Sequence, residues 1–289
     1  MSLSDQPSRS DLYRYLEVAT EAALAGGAVL QSFLGKLENV QEKGRPGDLV
    51  TEADQASEVA VLDVLQRHLP DHAILSEEAG QLAGEAAQYL WAVDPLDGTT
   101  NYAHQYPAYA VSIGLLVNGV PHVGVVFDPA RQELFRAATG LGATCNRRPI
   151  RVSQTQELSR SLLVSGFAYD RHQTTDNNYA EFCYLTHLTQ GVRRSGSAAT
   201  DLAAVACGRL DGYWERGLSA WDITAGIVLV REAGGRVTAY DEQPIQINSG
   251  RILATNGRIH SELSQALHQV PRLDTWADWE QLSKLRIMD

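Results

Sequence analysis

The chain has 289 residues and an ordinary globular composition, enough for one large or two closely packed units around a substantial core. Its net charge of −11 argues against a general nucleic-acid or membrane surface, which would need clustered Lys and Arg, and no segment is long and apolar enough to span a bilayer. Three scattered cysteines, Cys145, Cys183 and Cys207, have no zinc-ligand spacing, and the polar residues 1–10 lack the apolar run of a signal peptide, so a reduced, cytoplasmic protein is expected.

Leu12, Leu16, Ala19, Ala23 and Leu30 recur at helical spacing and predict a helix over 11–34, capped by Ser10 or Asp11. The polar segment 35–48, with Gly44, Pro46 and Gly47, reads as a mobile loop or hairpin. A second helix is expected over 51–68, stopped near Pro70, then a short buried strand over 73–75. Residues 89–93, 110–117 and 120–127 are rich in β-branched and apolar side chains and predict strands, the last two joined by the hairpin signal Asn118-Gly119. This run ends over 144–152, where Asn146-Arg147-Arg148-Pro149 reads as a turn. Beyond it, strands at 162–166, 192–195, 210–214, 236–239 and 252–255 alternate with helices at 176–189, 198–207, 222–233 and 259–270. That alternation argues for an α/β layer, with a boundary near Ser153 that divides the chain into 1–152 and 153–289. The tail after Pro271, with Trp276 and Trp279, is weakly patterned and is expected to pack on the surface or on a partner chain.

The stretch Trp91-Ala92-Val93-Asp94-Pro95-Leu96-Asp97-Gly98-Thr99-Thr100-Asn101 carries the most chemistry. It reads as an apolar strand ending in two carboxylates, with a turn forced by proline and glycine and then hydroxyl and amide residues. Two carboxylates can grip a hard cation, and backbone N–H groups at a helix start can hold an anion beside it. An ordinary turn after a strand would use the same residues, so company elsewhere matters. Asp48 to Asp54 puts carboxylates at a helix start, and Glu77-Glu78 ends a short apolar run. Gly196-Ser197-Ala198-Ala199 opens a helix after Arg193-Arg194, and Asp222 stands at the mouth of another that runs to Gly235. Any one of these is ordinarily a cap or a solvated carboxylate; together they are hard to explain as caps.

On these motifs the chain resembles the inositol monophosphatase family, within the magnesium-dependent, lithium-sensitive phosphatases. The resemblance rests on Trp91 to Asn101 and Trp221 to Gly235 and covers about 11–235 and beyond. Gly98-Thr99-Thr100-Asn101 is similar to the inositol monophosphatase branch rather than to the fructose-bisphosphatase or nucleotide-phosphatase branches. The resemblance implies an α/β (α+β) fold, a layered α-β-α-β-α sandwich with the site between its halves. It also implies a homodimer, sensitivity to lithium, and a small phosphorylated polyol as substrate.

Carried over residue by residue, the resemblance puts a first metal site on Glu77, Asp94 and the Leu96 carbonyl, and a second on Asp94, Asp97 and Asp222. A third, weaker site would use Glu77 and water, giving two or three Mg²⁺ ions. Carboxylate, carbonyl and water suit Mg²⁺, and the set has no His or Cys to favour zinc. Asp54 and Thr99 match the pair that activates the attacking water, with Glu77 also counted as catalytic; alone, Asp54 would read as a solvated helical carboxylate. Gly98 and Thr99 are expected to bind phosphate, and Gly196, Ser197, Ala198, Glu215 and Lys43 to line the substrate pocket. A solvated loop charge is the alternative for Lys43. Glu78 is expected to point away from Glu77 if that end is extended. Arg193 and Arg194 are expected to be structural or at a subunit contact, with phosphate ligation as the alternative. His104 is at most a supporting neighbour. Tyr102, Ser197 and Ser219-Ala220 depart from the family pattern near the pocket, so they bear on substrate identity.

The expected reaction is hydrolysis of myo-inositol monophosphate to inositol and phosphate by metal-activated water. The same hydrolysis of histidinol phosphate is an alternative. A regulatory scaffold that binds a protein partner is the alternative of another class.

Overall fold

In a computed structural model of the protein, the structure describes residues 6–44, 47–82 and 88–270. Pro46 and the tail with Trp276 and Trp279 lie outside them. Helix α1 (Arg9–Phe33) starts two residues earlier than the spacing suggests. Its cap is Ser8, whose hydroxyl accepts from the Asp11 N–H at 3.2 Å while Asp11 accepts from the Ser8 N–H at 3.0 Å. The segment after it forms a hairpin, β1 (Val40–Glu42) antiparallel to β2 (Leu49–Thr51). Helix α2 (Glu52–His68) follows directly.

Next come β3 (Ala73–Ser76), β4 (Gly80–Leu82), β5 (Tyr89–Asp97) and the short helix α3 (Thr99–Ala103). Strands β6 (Ala110–Val117), β7 (Val120–Asp128), β8 (Glu133–Ala138), β9 (Gly142–Cys145) and β10 (Arg148–Pro149) follow. Asn146 and Arg147 both have positive φ, as a two-residue hairpin turn demands, so the expected turn joins β9 to β10. The remainder is β11 (Leu162–Ser165), α4 (Tyr179–Leu188), β12 (Gly191–Arg193), α5 (Ala198–Ala206), β13 (Gly212–Glu215), α6 (Ala220–Glu232), β14 (Arg236–Thr238), β15 (Ile252–Thr255) and α7 (His260–Gln269).

Among the described residues, one eight-stranded sheet has the order β10-β9-β8-β7-β6-β5-β3-β4 and one five-stranded sheet the order β12-β11-β13-β15-β14. Three apolar cores lie between five layers. The first joins α1 and α2 to one face of the large sheet, through Leu16, Val61, Trp91, Ile113 and Val125. The second holds α5 and α6 between the sheets, through Val126, Leu202, Ile227 and Ile252. The third packs the outer face of the small sheet on α4 and α7, through Trp214, Leu185 and Leu263. This is the α-β-α-β-α sandwich expected from the resemblance.

Both faces of β6 and β7 are covered, so their residues, apart from Val120 at the turn, are buried without polar alternation. Odd-numbered residues of β6, Val111 to Val117, face α1. The even positions Ala110, Ser112 and Gly114 are small because α6 lies on them. A β-carbon at Gly114 would stand 2.4 Å from Thr224, and one at Gly124 of β7 2.3 Å from the Ala225 carbonyl oxygen. That close approach brings the α6 N-terminus level with the end of β5.

Candidate active site

Strand β5 does not stop at Val93, as its sequence suggests. It continues to Asp97 through a shift of register: Asp94 pairs with Ser112, and Asp97 with Ala110. Residues three apart on a regular strand point to opposite faces, but a bulge adds one residue and cancels the alternation. Asp94 and Asp97 therefore share the face of Ala110 and Ser112, against α6. Pro95 is tolerated because a bulge needs no ladder donor there, and the Leu96 N–H is satisfied by Asp94 Oδ1 at 3.0 Å. The turn comes at Gly98, with φ of 93°, where a β-carbon would lie 2.8 Å from the Ala108 carbonyl oxygen.

Parallel pairing of β3 with β5 sets Ser76 opposite Val93, and the Glu77 N–H continues the ladder to the Val93 carbonyl at 3.1 Å. Glu77 thus stands beside Asp94. The N-terminal ends of α2, α3, α5 and α6 converge on the same place, an arrangement that favours negative charge. A cavity of about 480 Å³ opens there. Its lining includes Lys43, Glu77, Asp94, Leu96, Asp97, Gly98, Thr99, Gly196, Ser197, Ala198, Glu215 and Asp222, all named from the sequence. Asp54 is fully buried behind Thr99 and does not line it.

The partners of these groups are specific. Asp97 Oδ2 accepts from Ser197 Oγ and from the Ala199 N–H, both at 2.6 Å, which ties α5 to β5. Asp222 Oδ2 accepts from the Ser219 N–H at 2.6 Å, as a third-position helical carboxylate does. Asp54 does the same in α2, accepting from the Thr51 N–H at 2.8 Å and the Thr51 hydroxyl at 2.6 Å. Its other oxygen lies 2.9 Å from Thr99 Oγ1, which is also 3.0 Å from the Leu96 carbonyl. One hydroxyl proton cannot serve both acceptors at once.

Lys43 is no solvated loop charge. Its ammonium donates to Glu77 Oε1 at 2.8 Å and to Glu78 Oε1. Glu78 does not point away: 77–79 form a turn rather than extended chain, so neighbouring side chains need not oppose one another. Arg194 lines the cavity and Arg193 does not. His104 caps α3 and lies outside the cavity lining. Tyr102 also turns away, donating from its hydroxyl to the Leu30 carbonyl in α1, so this departure does not touch the pocket; Ser197 and Ser219 do line it.

Burial pushes the carboxyls of Asp94 and Asp222 well above the usual range, and their carboxylate neighbours add to it. Asp97 is pushed up to about 6 by burial, against the hydrogen bonds from Ser197 and Ala199. Glu77 is also raised by burial, against Lys43. Desolvation opposes the Lys43 charge, but Glu77 and Glu78 outweigh it and raise the ammonium. A set of mutually repelling buried carboxylates with one carbonyl is a hard-oxygen donor set that suits Mg²⁺. Among the described residues no three His, Cys, Asp or Glu side chains are arranged to hold a metal as they stand. Asp97 and Asp222 each accept on Oδ2, from Ser197 and Ala199 and from Ser219, and Glu77 accepts from Lys43 on Oε1, which leaves each carboxylate a second oxygen for a cation.

Four supporting groups escaped the sequence reading. Glu58 accepts from Ser76 Oγ and from the Ala79 N–H at 2.9 Å, fixing the turn that carries Glu77; its place one helical turn after Asp54 was a usable signal. Tyr213 donates to Glu215 Oε2 at 2.7 Å from two residues earlier on the same strand face. Asp201 accepts from the Ser195 hydroxyl, and Asn101 Nδ2 donates to the Ala108 and Ser195 carbonyls at 2.7 and 2.8 Å. Asn101 closes the Trp91 to Asn101 motif, although its role is not legible there, and nothing local in the sequence marks Asp201.

A profile described as the inositol monophosphatase family matches residues 11–272. The chain belongs to the inositol monophosphatase family. It is 66% identical over 265 residues to an inositol-1-monophosphatase of Synechocystis, covering 92% of each chain. A solved inositol monophosphatase structure from Anabaena (Nostoc) superposes with a TM-score of 0.85 at 65% identity, covering 92% of this chain and 100% of that one. The chain is also 42% identical to the Nus factor SuhB of Pseudomonas aeruginosa, over 86% of this chain and 93% of that one.

Proposed function

We propose that this inositol monophosphatase family member hydrolyses small phosphate monoesters with Mg²⁺, myo-inositol monophosphate foremost, releasing inositol and phosphate. The observation that carries this reading is the opening of Glu77, Asp94, Asp97 and Asp222 onto one cavity with Glu215. The 66% identical Synechocystis protein supports inositol monophosphate as the substrate.

In this reading Glu77, Asp94, the Leu96 carbonyl, Asp97 and Asp222 hold two or three ions. Bound there, Mg²⁺ supplies an acidified water and neutralises charge on the phosphoryl group. The chain's own residues do the rest. Gly98 and Thr99 offer first-turn N–H groups, which have no partner inside the helix, to the phosphate oxygens. When the Thr99 hydroxyl donates its hydrogen bond to Asp54, its lone pairs are free to accept from the attacking water, and Asp54 is held still by Thr51. Glu215 Oε2 is occupied by Tyr213, which leaves Oε1 to accept from a polyol hydroxyl. Gly196, Ser197 and Ala198 shape the same wall, and Lys43 offsets the charge of Glu77 and Glu78.

The relatives named Nus factor SuhB support a second reading, action through a protein partner. The division into 1–152, with most metal ligands, and 153–289, with Asp222 and the pocket, belongs to the proposal. So do a homodimer, inhibition by lithium and a cytoplasmic location. No described helix is long and apolar enough to cross a membrane. Phosphate release with Mg²⁺ from inositol 1-phosphate, histidinol phosphate and fructose 1,6-bisphosphate tests the substrate. Preference for the first is expected; preference for histidinol phosphate would keep the chemistry and reassign the substrate.

A further inference from the structure

Three consecutive residues, Glu215, Arg216 and Gly217, are each keyed to the segment 166–170, and the two stretches form one wall of the cavity. The Glu215 carboxyl lies against the backbone at Gly166, where a β-carbon would stand 2.2 Å from Oε1. Arg216, with a side chain only 11% exposed, holds Asp170 by Nη1 and Nη2 to Oδ1 at 2.7 and 2.8 Å and by Nη2 to Oδ2 at 2.7 Å. Gly217 is pressed on Ala168, whose β-carbon would be 2.5 Å from one added to the glycine.

Gly166, Phe167, Ala168 and Tyr169 all line the cavity, but the Phe167 ring packs on Tyr179 and Phe182, with ring centroids at 5.0 and 5.5 Å. Tyr169 is 43% exposed and is the residue of this stretch that brings both a ring and a hydroxyl to the lining. Burial, then the charges of Asp48, Glu77, Asp222 and Asp97, raise its phenol, so it stays a neutral donor among acceptors.

We propose that Tyr169 is a specificity-determining residue that caps the polyol with its ring and donates from its hydroxyl, and that the Asp170–Arg216 pair positions it. The proposal rests on the polyol-phosphatase reading and deepens it. A forked guanidinium pair of low exposure fixes direction as well as distance. Because Arg216 follows Glu215 in the chain, one strand end sets both the acceptor for substrate hydroxyls and the donor that faces them.

The test is KM and kcat of the full chain with Mg²⁺, for inositol 1-phosphate and for 4-nitrophenyl phosphate, which has no polyol hydroxyls. The variants are Tyr169→Phe, Tyr169→Ala, Asp170→Asn, Arg216→Gln and the double Tyr169→Ala/Arg216→Gln, with melting curves as the check on folding. Loss of one neutral hydrogen bond in Tyr169→Phe is expected to raise KM for inositol 1-phosphate about three- to tenfold, more than for the nitrophenyl ester. Asp170→Asn and Arg216→Gln are expected to shift KM in the same direction with kcat kept within about twofold. The double variant is expected to have a KM no higher than Tyr169→Ala alone, since a positioning residue has nothing left to position. Unchanged KM ratios in both Tyr169 variants would overturn the proposal. So would a full additive effect of Arg216→Gln on Tyr169→Ala, which would make the pair merely structural. If the wild type turns over another ester but not inositol 1-phosphate, the polyol reading fails, and the same comparison on that ester decides the role of Tyr169. No turnover of any ester overturns both.

Discussion

Asp54 and Asp222 occupy the same helical position, third from the start of α2 and α6, and each serves twice: one oxygen closes a cap and the other is left for chemistry. Asp54→Asn keeps an oxygen for the Thr51 N–H but places an amide among hydroxyl partners. Turnover is expected to fall about ten- to a hundredfold, as for other groups that orient a reacting one, with about 1 kcal/mol of stability lost from the cap. Phosphate release and a urea melt measure the two separately. His260 gives a pH prediction. Thr238 Oγ1 donates to the Ala239 carbonyl at 2.6 Å, so it accepts from His260 Nε2–H at 2.8 Å, and Nδ1 then accepts from Thr255 Oγ1 at 2.8 Å. The buried ring is thus satisfied only when neutral. Burial, then Arg236, against Glu242, lower its pKa from 6.5 to about 4. Because the unfolded chain takes up the proton first, stability is fully present above 6.5 and is lost as pH falls towards 4. The melting temperature is expected to drop across that window, and less steeply in His260→Gln. An equal drop in both would contradict the assignment.

The large sheet and α6 set the site through two contacts with little slack. Gly114 and Gly124 let α6 lie on the strands, and the bulge in β5 rotates Asp97 towards the helix. Gly124→Ala is expected to cost about 1–3 kcal/mol by overpacking, because the obstacle is the Ala225 backbone rather than a side chain that can turn. Moving α6 also moves Asp222, so Mg²⁺ affinity by titration calorimetry is expected to weaken with it; weakened stability at unchanged affinity would separate the helix from the metal site. The legibility of the chain divides at this scale. Helices α1, α2 and α6 and strands β6 and β7 were readable because each carries its own period and its own punctuation. The carboxylates of Trp91 to Asn101 were also readable as a motif. Their common direction was not, because a bulge is defined by the partner strand β6, and no local pattern in β5 announces it. The same holds for Glu78, whose direction depends on a turn braced by Glu58, and for Arg216, whose partner Asp170 lies 46 residues away. Strand β4 has only three residues and carries no pattern of its own, β8 went unmarked although it has six, and of α3 only the start after Gly98 is expected from the sequence.

At the scale of the whole molecule, a chain of net charge −11 gathers buried carboxylates where four helices begin, a concentration of like charge that opposes the compact state. Cations that bind only the folded form should relieve it. Mg²⁺ at a hundredfold its dissociation constant stabilises by ~2.7 kcal/mol at one site, and a chelator is expected to remove that increment from the melting temperature. Asp94 is the carboxylate shared by both proposed metal sites, so Asp94→Asn is expected to abolish the Mg²⁺ shift. The measurement that tests the account most directly is Mg²⁺-dependent phosphate release from inositol 1-phosphate by the wild type and by Asp94→Asn. The expected result is turnover by the wild type that vanishes in chelator and falls at least about a hundredfold in the folded variant. Turnover equal in the two, or none in folded, Mg²⁺-loaded wild type, would contradict it.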